Sequence, residues 1–274
     1  MDRKGSISES PSDSDVEPLT YSKYLRVGEL ISLQHPRSDP PAHEEMLFIV
    51  IHQAYELWFK QIVFELDAFV AHLDADRIWP SSRILERVRE IFRVLIQQIE
   101  VLETMTPVEF NRFRSAVCPA SGFQSFQFRE IELCAGVDST GVAKTFHLEP
   151  EWEARLAERT SKPNMRTAFF GLLKRHGLLV GDGPAAARAA LLKIHEDDGN
   201  FEMLQGLCED LIRFDEQLLL WRFRHFQMAE RMIGKNVGTG GSPGVSYLQS
   251  TLQKRCFPEL WDIRTYLRDG KHYH

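Results

Sequence analysis

Residues 41–67 read PAHEEMLFIVIHQAYELWFKQIVFELD and decide the fold class of this 274-residue chain. Apolar residues recur in this stretch at steps of three and four, which is the spacing of one face of a helix. The pattern predicts one long helix from His43 to Leu73. His52 lies in the middle of its apolar stripe, on the face that also carries Phe48 and Glu56.

A second stretch places another histidine among apolar residues. Residues 211–234 read LIRFDEQLLLWRFRHFQMAERMIG, with His225 near the middle. A single histidine on an apolar face is commonly a packed core residue. Two such histidines on separate helices instead indicate a large, flat, apolar group held between them. A haem is the obvious candidate, because haem iron takes an axial histidine and prefers apolar walls.

A non-haem metal site fits these two histidines poorly. Di-iron bundles place a glutamate three residues before each histidine ligand. The corresponding positions here are Ile49 and Arg222. The HExxH zinc motif is absent from the sequence as well.

The rest of the chain has the same helical character, and strand signals are scarce. We therefore predict an all-α helical bundle that encloses a haem. Residues 1–18 are acidic and Ser-rich, which predicts a disordered N-terminal lead, and residues 19–274 are predicted to form a single domain. The further predicted helices are 21–34, 81–104, one that starts after Thr106, 124–133, 151–158, 164–176, 184–196, 199–234 and 245–255.

Charge and cysteine usage exclude some classes of function. A net charge of −6 argues against general nucleic-acid binding, although Arg222, Arg224 and Arg231 could meet anionic groups of a small ligand. No apolar run reaches the ~18 to 20 residues that a membrane span needs. The start of the chain does not look like a signal peptide, and the four cysteines form no CxxC motif. We therefore expect free thiols in a cytoplasmic protein without a membrane partner.

Two polar segments could bind part of a ligand. Arg114 stands in the string FNRFR (110–114) between aromatic residues, which suits bidentate capture of a carboxylate. Arg112 in the same string is interpreted as an ordinary surface arginine. The Gly-rich segment 236–244 is interpreted either as a mobile loop that closes over a ligand or as a plain linker.

Five long and unusual strings point to one family: LTYSKYLRVGEL (19–30), HEEMLFIVIHQAYELWFKQ (43–61), SGFQSFQFREIE (121–132), LWRFRHFQMAERMIG (220–234) and GTGGSPGVSYL (238–248). In them the chain resembles the tryptophan 2,3-dioxygenase family, from about Leu19 to Arg264. The resemblance implies an indoleamine/tryptophan dioxygenase-like fold with haem b, ferrous in its active state. It implies insertion of O₂ across the indole C2–C3 bond of L-tryptophan. The product would be N-formyl-L-kynurenine, the first step of tryptophan catabolism by the kynurenine pathway.

The same resemblance implies roles for residues around the haem and the indole ring. His225 would be the axial ligand of the iron, and Ser121–Gly122 would lie beside the haem. His52 would be the catalytic-site histidine on the distal side, near the indole N–H. Neutral indole is already electron-rich, so we do not expect His52 to be an obligatory base. Phe48 and Ile49 would form the apolar wall of the substrate pocket.

Further implied roles concern the amino-acid end of the substrate and the assembly. Arg114 would pair with the carboxylate, and Thr239 would contact the ammonium and carboxylate groups. Some family members have Tyr where this chain has Phe110, so Arg114 would carry more of the recognition here. The family is homotetrameric, and Tyr21 and Tyr24 would complete a neighbouring subunit's pocket.

Three other functions keep some of these features. A haem sensor or carrier would keep the two histidines without a use for Arg114 or Thr239. A dioxygenase with broader indole specificity need not keep His52. A purely helical interaction scaffold would bind no haem.

Overall fold

The computed structural model describes residues 18–139, 148–197, 199–236, 238–240 and 244–267. Every regular element in these ranges is a helix, so the all-α prediction is confirmed. The chain forms two compact units, one up to His35 and one from Pro36 onward. Of the predicted disordered lead, only Pro18 is among the described residues. The single domain over residues 19–274 stays a prediction.

The first unit contains two short helices, α1 (Tyr21–Leu25) and α2 (Val27–Leu30). The single predicted helix over 21–34 is therefore wrong. Arg26 separates the two helices because its backbone is left-handed, with φ of 52°, a conformation that interrupts a right-handed helix. Thr20 caps α1 with its side chain, as expected.

The second unit is built on three long helices. The central α4 packs against α3 on one side and α10 on the other, and α3 and α10 each run for 32 residues. The predicted helix from His43 is confirmed almost to the residue. The helices are α3 (His43–Asp74), α4 (Ile78–Leu102), α5 (Pro107–Val117), α6 (Phe126–Cys134), α7 (Pro150–Ser161), α8 (Met165–Arg175), α9 (Pro184–Glu196), α10 (Glu202–Ile233), α11 (Val245–Thr251) and α12 (Pro258–Asp262).

Some predicted boundaries are wrong, for local reasons. Helix α4 begins at Ile78 rather than Ser81, because Pro80 is tolerated in a first turn, where its missing N–H costs no hydrogen bond. Ser81 Oγ donates to the Arg77 carbonyl at 2.9 Å instead of capping the helix. The predicted start after Thr106 is confirmed by a complete capping box. Helix α11 ends at Thr251, four residues earlier than predicted.

The core lies where α3, α4 and α10 meet. Phe69, Phe92 and Phe214 come one from each of these helices, and all three are fully buried. Burying each such side chain stabilises the fold by about 1.5–3 kcal/mol. A smaller cluster surrounds Phe110 and Phe113 of α5. Within the described ranges, no helix has the length and apolar content needed to cross a membrane.

Candidate active site

A cavity of about 250 Å³ lies in the second unit, between the middle of α3 and the C-terminal half of α10. Most of its surface is apolar or aromatic. Six of the residues that the sequence pointed to line it together: Phe48, His52, Ser121, Gly122, His225 and Thr239.

Other predicted residues are placed differently. Ile49 and Arg114 are not among the described residues that line the cavity, and their roles stay predictions. Arg114 is half-buried, with its guanidinium carbon 6.0 Å from the ring centre of Phe110, which does line the cavity. Tyr21 and Tyr24 belong to helix α1 of the first unit, where both side chains are exposed.

His225 is held in the state that an iron ligand requires. Its ring stacks on Trp221, one turn earlier in α10, with centroids 5.3 Å apart and planes within 6°. Burial, together with smaller effects of the nearby His52 and Arg129, lowers the pKa of His225 to about 4. The imidazole is therefore neutral near pH 7 and has a free lone pair, which metal binding needs.

The haem-free protein should lose stability in mild acid because of His225. The pKa of His225 is 6.5 in the unfolded chain and about 4 in the folded protein. The free energy of unfolding should therefore fall as the pH drops from about 6.5 toward 4. His225→Phe should flatten this dependence, as measured by urea unfolding at pH 7, 6 and 5. Equal slopes in the two proteins would contradict the lowered pKa.

His52 has a defined tautomer on the other long helix. Its Nδ1 atom lies 2.6 Å from the Phe48 carbonyl oxygen. A carbonyl can only accept, so Nδ1 carries the hydrogen and Nε2 is left with a lone pair. Burial lowers the pKa of His52, which keeps the ring neutral. The Phe48 ring packs on the imidazole with centroids 4.1 Å apart. His52 can thus accept a hydrogen bond from a ligand N–H.

Aromatic side chains form the wall next to His52. The Phe48 ring lies 5.8 Å from Phe110 and 5.4 Å from Phe113, measured between centroids. Phe110 is buried and contributes no hydroxyl to the cavity. This side of the cavity therefore suits a flat apolar ring.

The described part of the Gly-rich segment closes one end of the cavity. Thr239 Oγ1 donates to the Ala120 carbonyl at 2.6 Å, and Cys118 Sγ donates to the Thr239 carbonyl at 3.1 Å. A Cβ atom on Gly240 would lie 2.5 Å from Ser121 Cβ, so only glycine allows this approach. These contacts favour a ligand-covering loop over a plain linker. Residues 237 and 241–243 of the segment lie outside the described residues.

A buried charged group lies in the same wall, and of its members sequence reasoning found Arg222 but missed Arg129 and Glu132. Arg129, Glu132 and Arg222 all line the cavity and are almost fully buried. Arg222 Nη2 donates to Glu132 Oε1 at 2.9 Å. Arg129 Nη1 lies 2.7 Å from Glu132 Oε2, as an ion pair without hydrogen-bond geometry. Only the Arg–Glu spacing of three in helix α6 hinted at this pair.

This group fits the carboxylates at the edge of a haem. Within this group, one carboxylate between two guanidinium groups leaves one net positive charge. Arg129 Nε and Arg222 Nε find no hydrogen-bond partner within the described part of the chain. Buried donors of this kind need an acceptor, and an anionic ligand would supply it. The neutral His225 and the apolar wall fit the iron and the flat macrocycle.

The three arginines that the sequence singled out in α10 differ in position. Arg222 lines the cavity, as described. Arg224 and Arg231 instead pair with Glu103, at 3.3 and 3.8 Å. In the described ranges, no three His, Cys, Asp or Glu side chains gather as a metal site.

Comparison with known proteins agrees with the resemblance seen in the sequence. The sequence model of the tryptophan 2,3-dioxygenase family matches residues 6–146 and 142–267. The chain is 46% identical to a tryptophan 2,3-dioxygenase from Nocardioides sp., over 91% of this chain and 95% of that protein. It is 41% identical to one from Herpetosiphon aurantiacus (90% and 98% covered) and 40% to one from Xanthomonas euvesicatoria (90% and 87%). The chain belongs to the tryptophan 2,3-dioxygenase family.

Proposed function

We propose that this chain is a haem-dependent dioxygenase that converts L-tryptophan and O₂ to N-formyl-L-kynurenine, the first step of the kynurenine pathway. One observation carries the proposal. A single cavity joins a neutral His225 to an aromatic wall with His52, in a chain of this family. When bound, ferrous haem supplies the binding and activation of O₂.

The chain's own residues would hold the haem by three kinds of contact. His225 Nε2 or Nδ1 would bind the iron, and the stacked Trp221 fixes the orientation of the ring. Ser121 and Gly122 would lie beside the macrocycle, since both line the cavity. Arg129 would direct its N–H groups toward the carboxylates of the haem.

The opposite side of the cavity would hold tryptophan. The indole ring would lie against Phe48, with Ile49 as a second apolar residue of that wall. His52 Nε2 would accept a hydrogen bond from the indole N–H. This hydrogen bond would orient the indole ring and leave it neutral. At the amino-acid end, Arg114 would pair with the carboxylate and Thr239 would contact both charged groups. The apolar wall excludes water, which strengthens these polar contacts.

Two absorbance measurements test this function and separate it from its rivals. The purified protein should show a Soret band, and the reduced protein should form a product absorbing in the near ultraviolet when given L-tryptophan and O₂. A haem sensor or carrier would show the band without the product. A helical scaffold would show neither. A broader indole dioxygenase would turn over other indoles as readily as L-tryptophan.

His52→Ala should leave measurable turnover. The variant loses one hydrogen bond to the indole N–H, worth about 1 kcal/mol, so kcat/KM should fall by no more than roughly tenfold. His43→Ala is the control, because that side chain is 94% exposed at the start of the same helix. Stopped turnover in haem-replete His52→Ala would instead assign a base role to His52.

We also propose a homotetramer. Helices α3 and α4 carry a group of exposed large apolar side chains, which is typical of an interaction surface. These side chains include Leu57, Trp58, Phe64, Val94 and Val101. The molar mass from light scattering tests this assembly.

In the tetramer, Tyr21 and Tyr24 would complete the pocket of a neighbouring subunit. Their side chains are 78% and 72% exposed. If so, Tyr21→Ala should alter kcat/KM for tryptophan without changing the haem content. A cytoplasmic location is proposed as well, since all four cysteines are free.

A further inference from the structure

Glu132 lies between two arginines that line the haem cavity. It is 1% exposed, and its two carboxylate oxygens face different partners. Oε2 lies 2.7 Å from Nη1 of Arg129, which is one turn earlier on α6. Oε1 lies 2.9 Å from Nη2 of Arg222 on α10. Arg222 Nη1 also donates to the Lys254 carbonyl at 3.1 Å. The Arg129 guanidinium packs on the Phe128 ring at 4.7 Å. Both arginines are therefore fixed in place.

The charge of this triad is unusual for a protein interior. Arginine does not lose its proton in proteins, so neither guanidinium can become neutral. Two buried positive charges would be strongly unfavourable without a partner. Glu132 cancels one of them and leaves the other for an anionic ligand. Removing Glu132 would therefore double the uncompensated charge of the triad.

The triad is close to the proposed iron ligand. Arg222 lies three residues before His225, on the same face of α10. The Arg129 charge also contributes to the lowered pKa of His225. A positive charge at this place favours ferrous over ferric iron, because the ferrous site carries one positive charge less.

We propose that Glu132 is a positioning residue that holds Arg129 and Arg222 at the haem cavity and limits their combined field at the iron to one positive charge. This inference rests on the proposed binding of haem by His225. Glu132 then sets the reduction potential of the iron through the two arginines that it holds.

Glu132→Gln keeps the shape of the side chain and removes its charge. The ferric/ferrous equilibrium should shift toward ferrous iron by roughly tenfold, which is 59 mV for a one-electron couple. A spectroelectrochemical titration of the Soret band without tryptophan measures this shift. Glu130→Gln is the matched control. Glu130 is equally buried on the same helix and pairs with Arg155 and Arg159 at 2.9 and 2.8 Å, outside the cavity. Its variant should keep the wild-type potential.

Two further variants separate charge from structure. Arg222→Met removes a positive charge and should shift the equilibrium toward ferric iron. Glu132→Gln/Arg222→Met restores the net charge and should return the potential to near wild type. Wild-type potentials in both single variants, or an equal shift in Glu130→Gln, would overturn the proposal. If haem-replete His225→Ala keeps full activity, the proposed function of His225 fails instead, so the two failures are distinguishable.

Discussion

His225→Ala should remove the Soret band from the purified protein, or leave a residual haem with nearly no turnover. In the proposed site, a ring nitrogen of His225 is the protein's ligand to the iron. Its ring is neutral because burial lowers its pKa to about 4, and it is oriented by the parallel Trp221 ring. An alanine leaves an apolar space without a ligand. The haem content per chain, measured by absorbance, reports the loss directly.

A second histidine provides the control for this experiment. His195 lies on α9, and its Nδ1 atom contacts the Leu191 carbonyl at 2.9 Å, but it does not line the cavity. His195→Ala should keep its haem and its activity. Free imidazole added to His225→Ala should restore part of the Soret band, since it can occupy the vacated space. Full activity of haem-replete His225→Ala would refute the ligand assignment.

The sequence was sufficient to find the two histidine helices because their pattern is local. Apolar residues at helical spacing continue without interruption through α3 and α10, and the structure has both as 32-residue helices. His52 and His225 sit on the faces of these helices that line the cavity. The break at Arg26 could not be found in the same way. A left-handed backbone at a residue other than glycine leaves no compositional signal.

The charged part of the cavity was not predictable for a different reason. Arg222, Arg224 and Arg231 look alike in the sequence, as basic residues of one amphipathic helix. Only the packing of α6 against its neighbours decides that Arg222 faces Glu132. The other two arginines share Glu103, the residue that follows α4. Burial of a charge depends on contacts that are distant in sequence, and periodicity carries no information on them.

Recognition of the substrate carboxylate is the second large effect, and we propose that it depends on Arg114. The Arg114 guanidinium carbon lies 6.0 Å from the centre of the Phe110 ring, and Phe110 lines the cavity. Phe110 has no hydroxyl to share the contact with the carboxylate. Wild-type protein should therefore reject tryptamine, which lacks the carboxylate that Arg114 would bind.

Arg114→Met should abolish this discrimination. Losing one partner of a buried ion pair costs about 3 kcal/mol or more, so kcat/KM for L-tryptophan should fall by roughly a hundredfold. The value for tryptamine should stay nearly constant, because tryptamine never made the contact. Arg112→Met is the matched control, since Arg112 is exposed two residues away on the same helix. If kcat/KM falls by the same factor for both substrates in Arg114→Met, the side chain stabilises the fold of α5 and does not bind the carboxylate. Equal losses in Arg112→Met would point to the net charge of this surface.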